Sequence, residues 1–272
     1  MERLQAAIEK ARARRQEAAP APAAPRPEAA APAGVEASWA ALSPFDVQPG
    51  EFRRHRLVAF ESGPEAGPYD MLRTRILQQA LKHGWRRVAV VSPHAGCGKT
   101  TTVANLVFSF SRQRDLRCIV LDLDLRRIGL GKVMGQKRPQ GMADVLERRL
   151  PFAQHALRYG SNVALGLNNA PARNPSELLQ SQQTRDVLAE IEAAYQPGLT
   201  IFDMPPLMSS DDNYGFLKNV DSALILAEAE RTTIEQIDHA ERQVAELTNV
   251  MGVVLNKCRY NDGAYGYEYG YA

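Results

Sequence analysis

Ser92-Pro-His-Ala-Gly96-Cys97-Gly98-Lys99-Thr100-Thr101 is the stretch that decides the fold. It follows a short apolar run, Val88 to Ser92, of strand length, and it opens a helix expected over Lys99 to Arg112. Gly96 and Gly98 allow backbone N–H groups to turn inward and approach phosphate oxygens. The positive N-terminus of the following helix adds to that attraction, Lys99 reaches the outer phosphates, and the Thr100 hydroxyl suits Mg²⁺. This is a P-loop, with Pro93 standing where the usual pattern has its first glycine.

Two further strand ends carry carboxylates. Ile119-Val-Leu-Asp122-Leu-Asp124-Leu-Arg126 closes an apolar strand, Cys118 to Leu123, with two acids on one side of the chain and a cation two residues on. Thr200-Ile-Phe-Asp203-Met-Pro-Pro206 ends another, Leu199 to Phe202, with a single Asp. Hard oxygen ligands beside a phosphate cradle are what Mg²⁺ needs, and a spare carboxylate can take the proton of an attacking hydroxyl. The remaining periodicity predicts helices over Met71 to Leu81 (Leu72, Ile76, Leu77 and Leu81 inward), Leu178 to Tyr195, and Thr233 to Thr248 (Ile234, Ile237, Val244 and Leu247 inward). Further strands are expected at Ala223 to Ala227 and Met251 to Leu255. Alternating strands and helices imply an α/β, P-loop NTPase architecture with a doubly wound, mostly parallel sheet, in which ligands sit at the carboxyl ends of the strands.

The chain has 272 residues, enough for one such domain of about 200 residues plus flanks. Its net charge of +2 decides little, while the lack of a basic stripe or reading motif argues against nucleic acid as partner. Three scattered cysteines, Cys97, Cys118 and Cys258, fit neither a disulfide framework nor a paired-cysteine metal site and suit a reducing cytoplasm. No apolar run approaches the roughly 20 residues that span a bilayer, and the first ten residues lack the apolar stretch of a secretion signal. Residues 1 to 17 predict a short helix with Leu4, Ala7, Ile8 and Ala11 on one face. Ala18 to Gly34, with five prolines, reads as a semi-extended linker, and folding is expected to begin near Phe52. At the other end, five of the nine tyrosines fall in the last thirteen residues, at Tyr260, Tyr265, Tyr267, Tyr269 and Tyr271. Gly266, Glu268 and Gly270 between them leave no pattern that packs as helix or strand, so the rings are expected to be displayed. Beside a phosphate site, such a tail is a candidate phosphoryl acceptor.

From about Leu72 to Tyr271 the chain resembles the bacterial tyrosine kinases of the CpsD/CapB type, the P-loop kinases of capsule and exopolysaccharide production. Gly96 to Thr100 is similar to that family's Walker A motif, Asp122-Leu-Asp124-Leu-Arg126 to its Walker A′ motif, and Asp203-Met-Pro-Pro206 to its Walker B motif. Gly141-Met-Ala-Asp-Val-Leu146, Asn174-Pro-Ser-Glu-Leu-Leu179 and Gly252-Val-Val-Leu-Asn256 resemble further family segments, and the tyrosine cluster its autophosphorylation tail. The resemblance implies an ATP- and Mg²⁺-dependent protein-tyrosine autokinase acting in trans. Its divisions would be residues 1–50 as short helix and disordered linker, 51–258 as the kinase domain, and 259–272 as a flexible tyrosine-rich tail. Nucleotide would contact Gly96, Cys97, Gly98, Lys99, Thr100 and Thr101, with Thr100, Asp122 and Asp203 at the metal. Asp122 would activate the tyrosine hydroxyl with Asp124 in support, or the two roles exchanged. Arg126 would stabilise charge on the transferring group. Asn256 resembles the adenine-side residue of related ATPases, and a polar strand cap is the plainer reading.

Implied partners are further copies of the chain, a membrane-bound polysaccharide co-polymerase that activates the enzyme at the inner face of the plasma membrane, and a protein-tyrosine phosphatase. Three positions depart from the family pattern. Its oligomerisation motif Glu-x-x-Arg-x-x-Arg is matched only at the last position of Gly67-Pro-Tyr-Asp70-Met-Leu-Arg73; Ile128-Gly-Leu-Gly131 replaces a segment that tends to carry Pro or His; and Cys97 takes a commonly acidic position. The rival reading is a MinD/ParA-like ATPase switch, but the signature lysine of that group is replaced here by His94. A third is a catalytically weak scaffold.

Overall fold

The computed structural model describes residues 33–258, so the expected helix over residues 1 to 17, most of the linker and all five tail tyrosines lie outside the described residues. Eight strands form one sheet: β1 (Ser43–Pro44), β2 (Arg87–Val91), β3 (Cys118–Asp122), β4 (Leu157–Tyr159), β5 (Val163–Gly166), β6 (Leu199–Asp203), β7 (Ser222–Glu228) and β8 (Asn249–Asn256). Their spatial order is β1-β4-β5-β3-β6-β2-β7-β8. Six neighbours from β5 to β8 run parallel, while β4 is antiparallel to β5 and β1 runs with β4, so one edge is reversed. The expected doubly wound, mostly parallel sheet is therefore present. Its order sets β6 between β3 and β2, which brings the two acidic strand ends and the P-loop to one side of the molecule.

The central strands are buried on both faces, which is why they read as unbroken apolar runs rather than alternating ones. Ile119 and Leu121 of β3 join one core with Val145, Leu146, Leu188, Ile191, Phe216 and Val244. Val120 of the same strand joins the other with Phe52, Ile76, Leu106, Val107 and Phe108. The helices covering the first face include Gln182–Tyr195 and Ile234–Ala245; those on the second include Gly67–His83 and Lys99–Ser111.

Several expectations need correction. Folded structure is present well before Phe52: helix Ala33–Ala40 sets Val35 and Trp39 into the first core, and Leu42 and Phe45 follow them inside. Trp39 gives its Nε1 proton to the Tyr195 carbonyl at 2.8 Å, packs edge-on against the Tyr195 ring, and lies under the Arg117 guanidinium. Alanine-rich composition hid this anchor. The expected helix Leu178 to Tyr195 is two, Pro175–Gln180 and Gln182–Tyr195, because Ser181 adopts an extended conformation and its hydroxyl accepts the Thr184 N–H as an N-cap. Leu81 and Ile234, expected inward, are 86% and 82% exposed, each lying in the terminal turn of its helix. Among the described residues no helix is long and apolar enough to cross a membrane.

Candidate active site

The P-loop leaves β2 and enters the Lys99–Ser111 helix. Gly96 and Gly98 hold φ of 91° and 90°, a region costly for any residue with a Cβ. A Cβ on Gly98 would also come within 2.4 Å of Asn256 Nδ2. That amide donates to the Cys97 carbonyl at 2.8 Å, so Asn256, at the end of β8, holds the loop from outside. Lys99 is buried, and its ammonium donates to Ser92 Oγ at 3.0 Å. Burial lowers its pKa, while the nearby Asp203 and Asp124 oppose that shift. Thr100 faces Gly129, where an added Cβ would stand 3.5 Å from the threonine hydroxyl, and the main chain of Thr101 accepts the Asn105 amide at 2.9 Å.

Asp122 and Asp203 are register partners on β3 and β6, and both are fully buried. Asp122 Oδ2 accepts the Leu130 N–H at 3.1 Å. Its other oxygen, Oδ1 of Asp124 and both oxygens of Asp203 are buried without a hydrogen-bond partner of regular geometry. Burial first, and then repulsion from Asp203 and Asp124, pushes the Asp122 pKa well above the ordinary carboxylate range. Burial also raises Asp203, to about 6, against the opposing pull of Lys99 and of the Thr100 hydroxyl. Asp124, half-buried, is raised by burial although Lys99 and Arg127 favour its charge. Buried oxygens without partners are exceptional in folded proteins. Four of them grouped beside a phosphate cradle form a hard oxygen set that fits Mg²⁺.

Arg126 stands apart from its expected place. Its Nε and Nη2 grip Asp212 at 2.8 and 2.9 Å, and Nη2 also reaches Ser176 Oγ at 2.9 Å. Burial works against ionisation of Asp212, but hydrogen bonds from Arg126, Ser176 and Ser210 outweigh it and hold its pKa below the usual value. Ser176 belongs to the Asn174-to-Leu179 segment, whose role is thus to brace this pair. Asp212 was missed from sequence because it lies in a Ser-Ser-Asp-Asp run that resembles an ordinary turn. Asn168 was missed as well; its side chain bonds the Asp122 carbonyl at 2.8 Å and the Met142 N–H at 2.9 Å, tying the Gly141 segment to the acidic strand end. Beside Arg126 and Arg127 opens a cavity of about 1050 Å³ whose walls include Arg54, Lys132, Lys137 and Arg138. Among the described residues, Arg127, Lys132 and Lys137 form no ion pair.

Arg73, the one residue matching the expected oligomerisation motif, is turned inward. Its guanidinium donates to Asp70 at 3.2 Å and to the Ser109 carbonyl at 2.9 Å, and Arg112 meets the same Asp70 oxygen. An acid at position 70 thus captures the arginine within its own chain.

Residues 88–268 match the model of the CobQ/CobB/MinD/ParA nucleotide binding domain. Among curated proteins, the tyrosine-protein kinase YwqD of Bacillus subtilis is 26% identical over 205 residues, covering 75% of this chain and 84% of YwqD. The tyrosine-protein kinase Wzc of Salmonella typhi is 28% identical over 180 residues, 63% of this chain but only 25% of Wzc. The kinase domain of the Escherichia coli tyrosine kinase ETK superposes with a TM-score of 0.66 at 21% identity, over 76% of this chain and 80% of that one, a likeness of fold.

Proposed function

The chain belongs to the CobQ/CobB/MinD/ParA nucleotide-binding family, and we propose that within it this protein is an ATP-dependent protein-tyrosine kinase that phosphorylates the C-terminal tyrosines of a neighbouring copy. The observation that carries the reading is the arrangement of Lys99 beside Asp122, Asp124 and Asp203, with four carboxylate oxygens lacking partners. The similarity to YwqD and Wzc supports tyrosine as the acceptor class, and Tyr260, Tyr265, Tyr267, Tyr269 and Tyr271 supply acceptors within the chain.

Backbone N–H groups of Gly96 to Thr100 cradle the phosphates, with Lys99 exchanging its Ser92 partner for outer phosphate oxygens. Thr100, Asp203 and Asp122 would hold Mg²⁺, which when bound neutralises charge on the β- and γ-phosphates. Asp122 accepts the tyrosine proton: the Leu130 N–H fixes one of its oxygens and leaves the other free, which orients the base. Asp124 supports the metal side. Arg126, braced by Asp212, aligns the wall from which Arg127 faces the site. The basic cavity beside them offers an approach for a tail carrying Asp262 and Glu268. Phosphorylation adds about −1.5 to −2 charges per tyrosine, so a fully modified tail repels its neighbours and loosens the assembly. The setting is exopolysaccharide or capsule export, with a membrane-bound co-polymerase recruiting the protein to the inner membrane face and a tyrosine phosphatase resetting it.

The test is incubation of the full chain with Mg·ATP, alone and with a candidate membrane activator, followed by mass spectrometry of the tail. Phosphate on residues 260–271 is expected. Hydrolysis of ATP in the same sample without any phosphotyrosine would hand the protein to the MinD/ParA-like switch reading.

A further inference from the structure

We propose that His94, Cys97 and Glu228 form a Zn²⁺ site beside the P-loop, separate from the all-oxygen magnesium position. Their ligand atoms lie within 4.8 Å of one another, the only such grouping of three among the described residues. The tautomer of His94 suits ligation. Its Nδ1 lies 3.0 Å from the Ala95 carbonyl oxygen, which can only accept, so Nδ1 carries the proton and Nε2 presents its lone pair. Cys97 Sγ lies 3.5 Å from Nδ1 and 3.8 Å from Nε2, and Nε2 takes the hydroxyl proton of Thr232 at 2.9 Å, a bond that the metal would replace. With Zn–S near 2.3 Å and Zn–N near 2.0–2.1 Å, two ligands on one tetrahedral zinc stand about 3.5 Å apart. The spacing of the pair is thus within a few tenths of an ångström of that value, and ligation through Nε2 requires the ring to turn toward Cys97 while Glu228 closes in from within 4.8 Å.

Glu228, at the end of β7, completes the set. Its side chain is 13% exposed, with Lys257 on Oε1 at 2.9 Å and Arg231 on Oε2 at 3.3 Å; these cations keep the carboxylate ionised, and the longer pairing is the one exchanged for the metal. Burial of Cys97 excludes most water from the sulfur. Thr232 Oγ1, 4.0 Å from Sγ, marks the fourth position, filled by that hydroxyl or by water.

Ligand chemistry separates this site from the one that serves nucleotide. A thiolate and an imidazole select zinc over magnesium, whereas Thr100 and the carboxylates of β3 and β6 offer only hard oxygens. On binding, the Cys97 thiol gives its proton to solvent as the Zn–S bond forms, and Nε2 and a Glu228 oxygen contribute lone pairs. The metal then ties the P-loop to the end of β7, adding to the tie that Asn256 makes from β8.

The experiment titrates the reduced full chain with Zn²⁺ against a chromogenic chelator in excess Mg²⁺, and repeats it with Co²⁺. One tightly held equivalent is expected. It should come with a higher melting temperature and, for cobalt, a near-ultraviolet thiolate charge-transfer band. Cys97→Ser, His94→Asn and Glu228→Gln should each weaken binding by about 10–100-fold or more, since even outer partners of metal ligands are worth that much. Cys258→Ser, at an exposed position beyond β8, should change nothing. Should Cys97→Ser fail to fold, His94→Asn decides. The proposal is overturned if no zinc binds, if these variants bind as the unaltered chain does, or if the charge-transfer band disappears with Cys258→Ser instead.

Discussion

Asp122 and Asp203 face each other as register partners across β3 and β6, both fully enclosed, with Lys99 as the nearest buried cation. Two carboxylates in one dry pocket cannot both ionise cheaply. Burial, and for Asp122 the repulsion that follows, raises both pKa values, and the folded protein carries that strain until cations enter. The site is thus built for a charge it does not itself supply, at a cost in stability that function explains.

Replacing Asp203 with Asn should stabilise the nucleotide-free protein at pH 7 while abolishing Mg²⁺-dependent phosphotransfer. The folded pKa of about 6 lies above the unfolded value of 3.8, so the folded state binds the extra proton and the Asp203 penalty grows as pH rises from about 4 to about 6. Above that window it is constant. A shift of this size corresponds to about 1–3 kcal/mol, read as an increase in melting temperature for Asp203→Asn that vanishes below about pH 4. An unchanged melting temperature at pH 7 would mean that the carboxylate is not penalised in the fold.

Magnesium-dependent nucleotide binding should weaken as pH falls through about 6, because a protonated Asp203 no longer offers a charged oxygen. Calorimetric titration with Mg·ADP at pH 5 and pH 7.5 checks this. Equal affinities would remove Asp203 from the metal position.

Lys99→Met should reduce tail phosphorylation by about 100-fold or more, in line with the loss of one preorganised charge from a transition-state site. The methionine fits the apolar part of the buried slot but gives Ser92 Oγ no donor. Mass spectrometry of the tail after incubation with Mg·ATP measures the loss, and circular dichroism verifies that the variant is folded. Retained phosphorylation would place the phosphates elsewhere.

Arg126 and Asp212 should prove coupled. Removing the guanidinium by Arg126→Ala leaves an enclosed carboxylate with only Ser176 and Ser210 as partners, at a cost of about 1–3 kcal/mol. Asp212→Asn in that background should restore part of the loss. The pair's contribution is present above the unfolded carboxylate pKa and disappears as pH falls through the lower folded value. Additive effects in urea unfolding of the single and double variants would show that Arg126 does not brace the site.

Much of the site was legible because its chemistry is local. The P-loop, the Asp122–Asp124 spacing and Asp203 each terminate an apolar strand, and a parallel α/β sheet brings such ends together whatever the loops do. Residues that act through distant partners were not legible: Asp212 comes to Arg126 from 86 positions away, and Asn168 to the Asp122 carbonyl from 46. Nor could spacing show that Arg73 is spent on Asp70, since the competitor is part of the same helix and the choice is made by Ser109 on the next one and Arg112 at its C-cap. The sheet's reversed edge was equally hidden, because β1 and β4 have two and three residues and too little period to read.

The segment from Ala33 to Gly50 supplies the last prediction. Composition marks it as linker, yet Trp39 is 2% exposed against Tyr195. Trp39→Ala should destabilise the protein by about 3–5 kcal/mol, the usual cost of removing a buried large aromatic side chain. Trp39→Phe should cost less, roughly 1–2 kcal/mol, because it keeps most of the packing but deprives the Tyr195 carbonyl of its donor. Urea unfolding by far-ultraviolet circular dichroism separates the two. The slope is expected to stay constant, since the surface exposed on unfolding scarcely changes. Midpoints equal to that of the unaltered chain would return the segment to the status of a linker that merely touches the domain. A graded loss in the order stated would make it an integral strap over the first core, closing the Gln182–Tyr195 helix onto the sheet edge that carries β1.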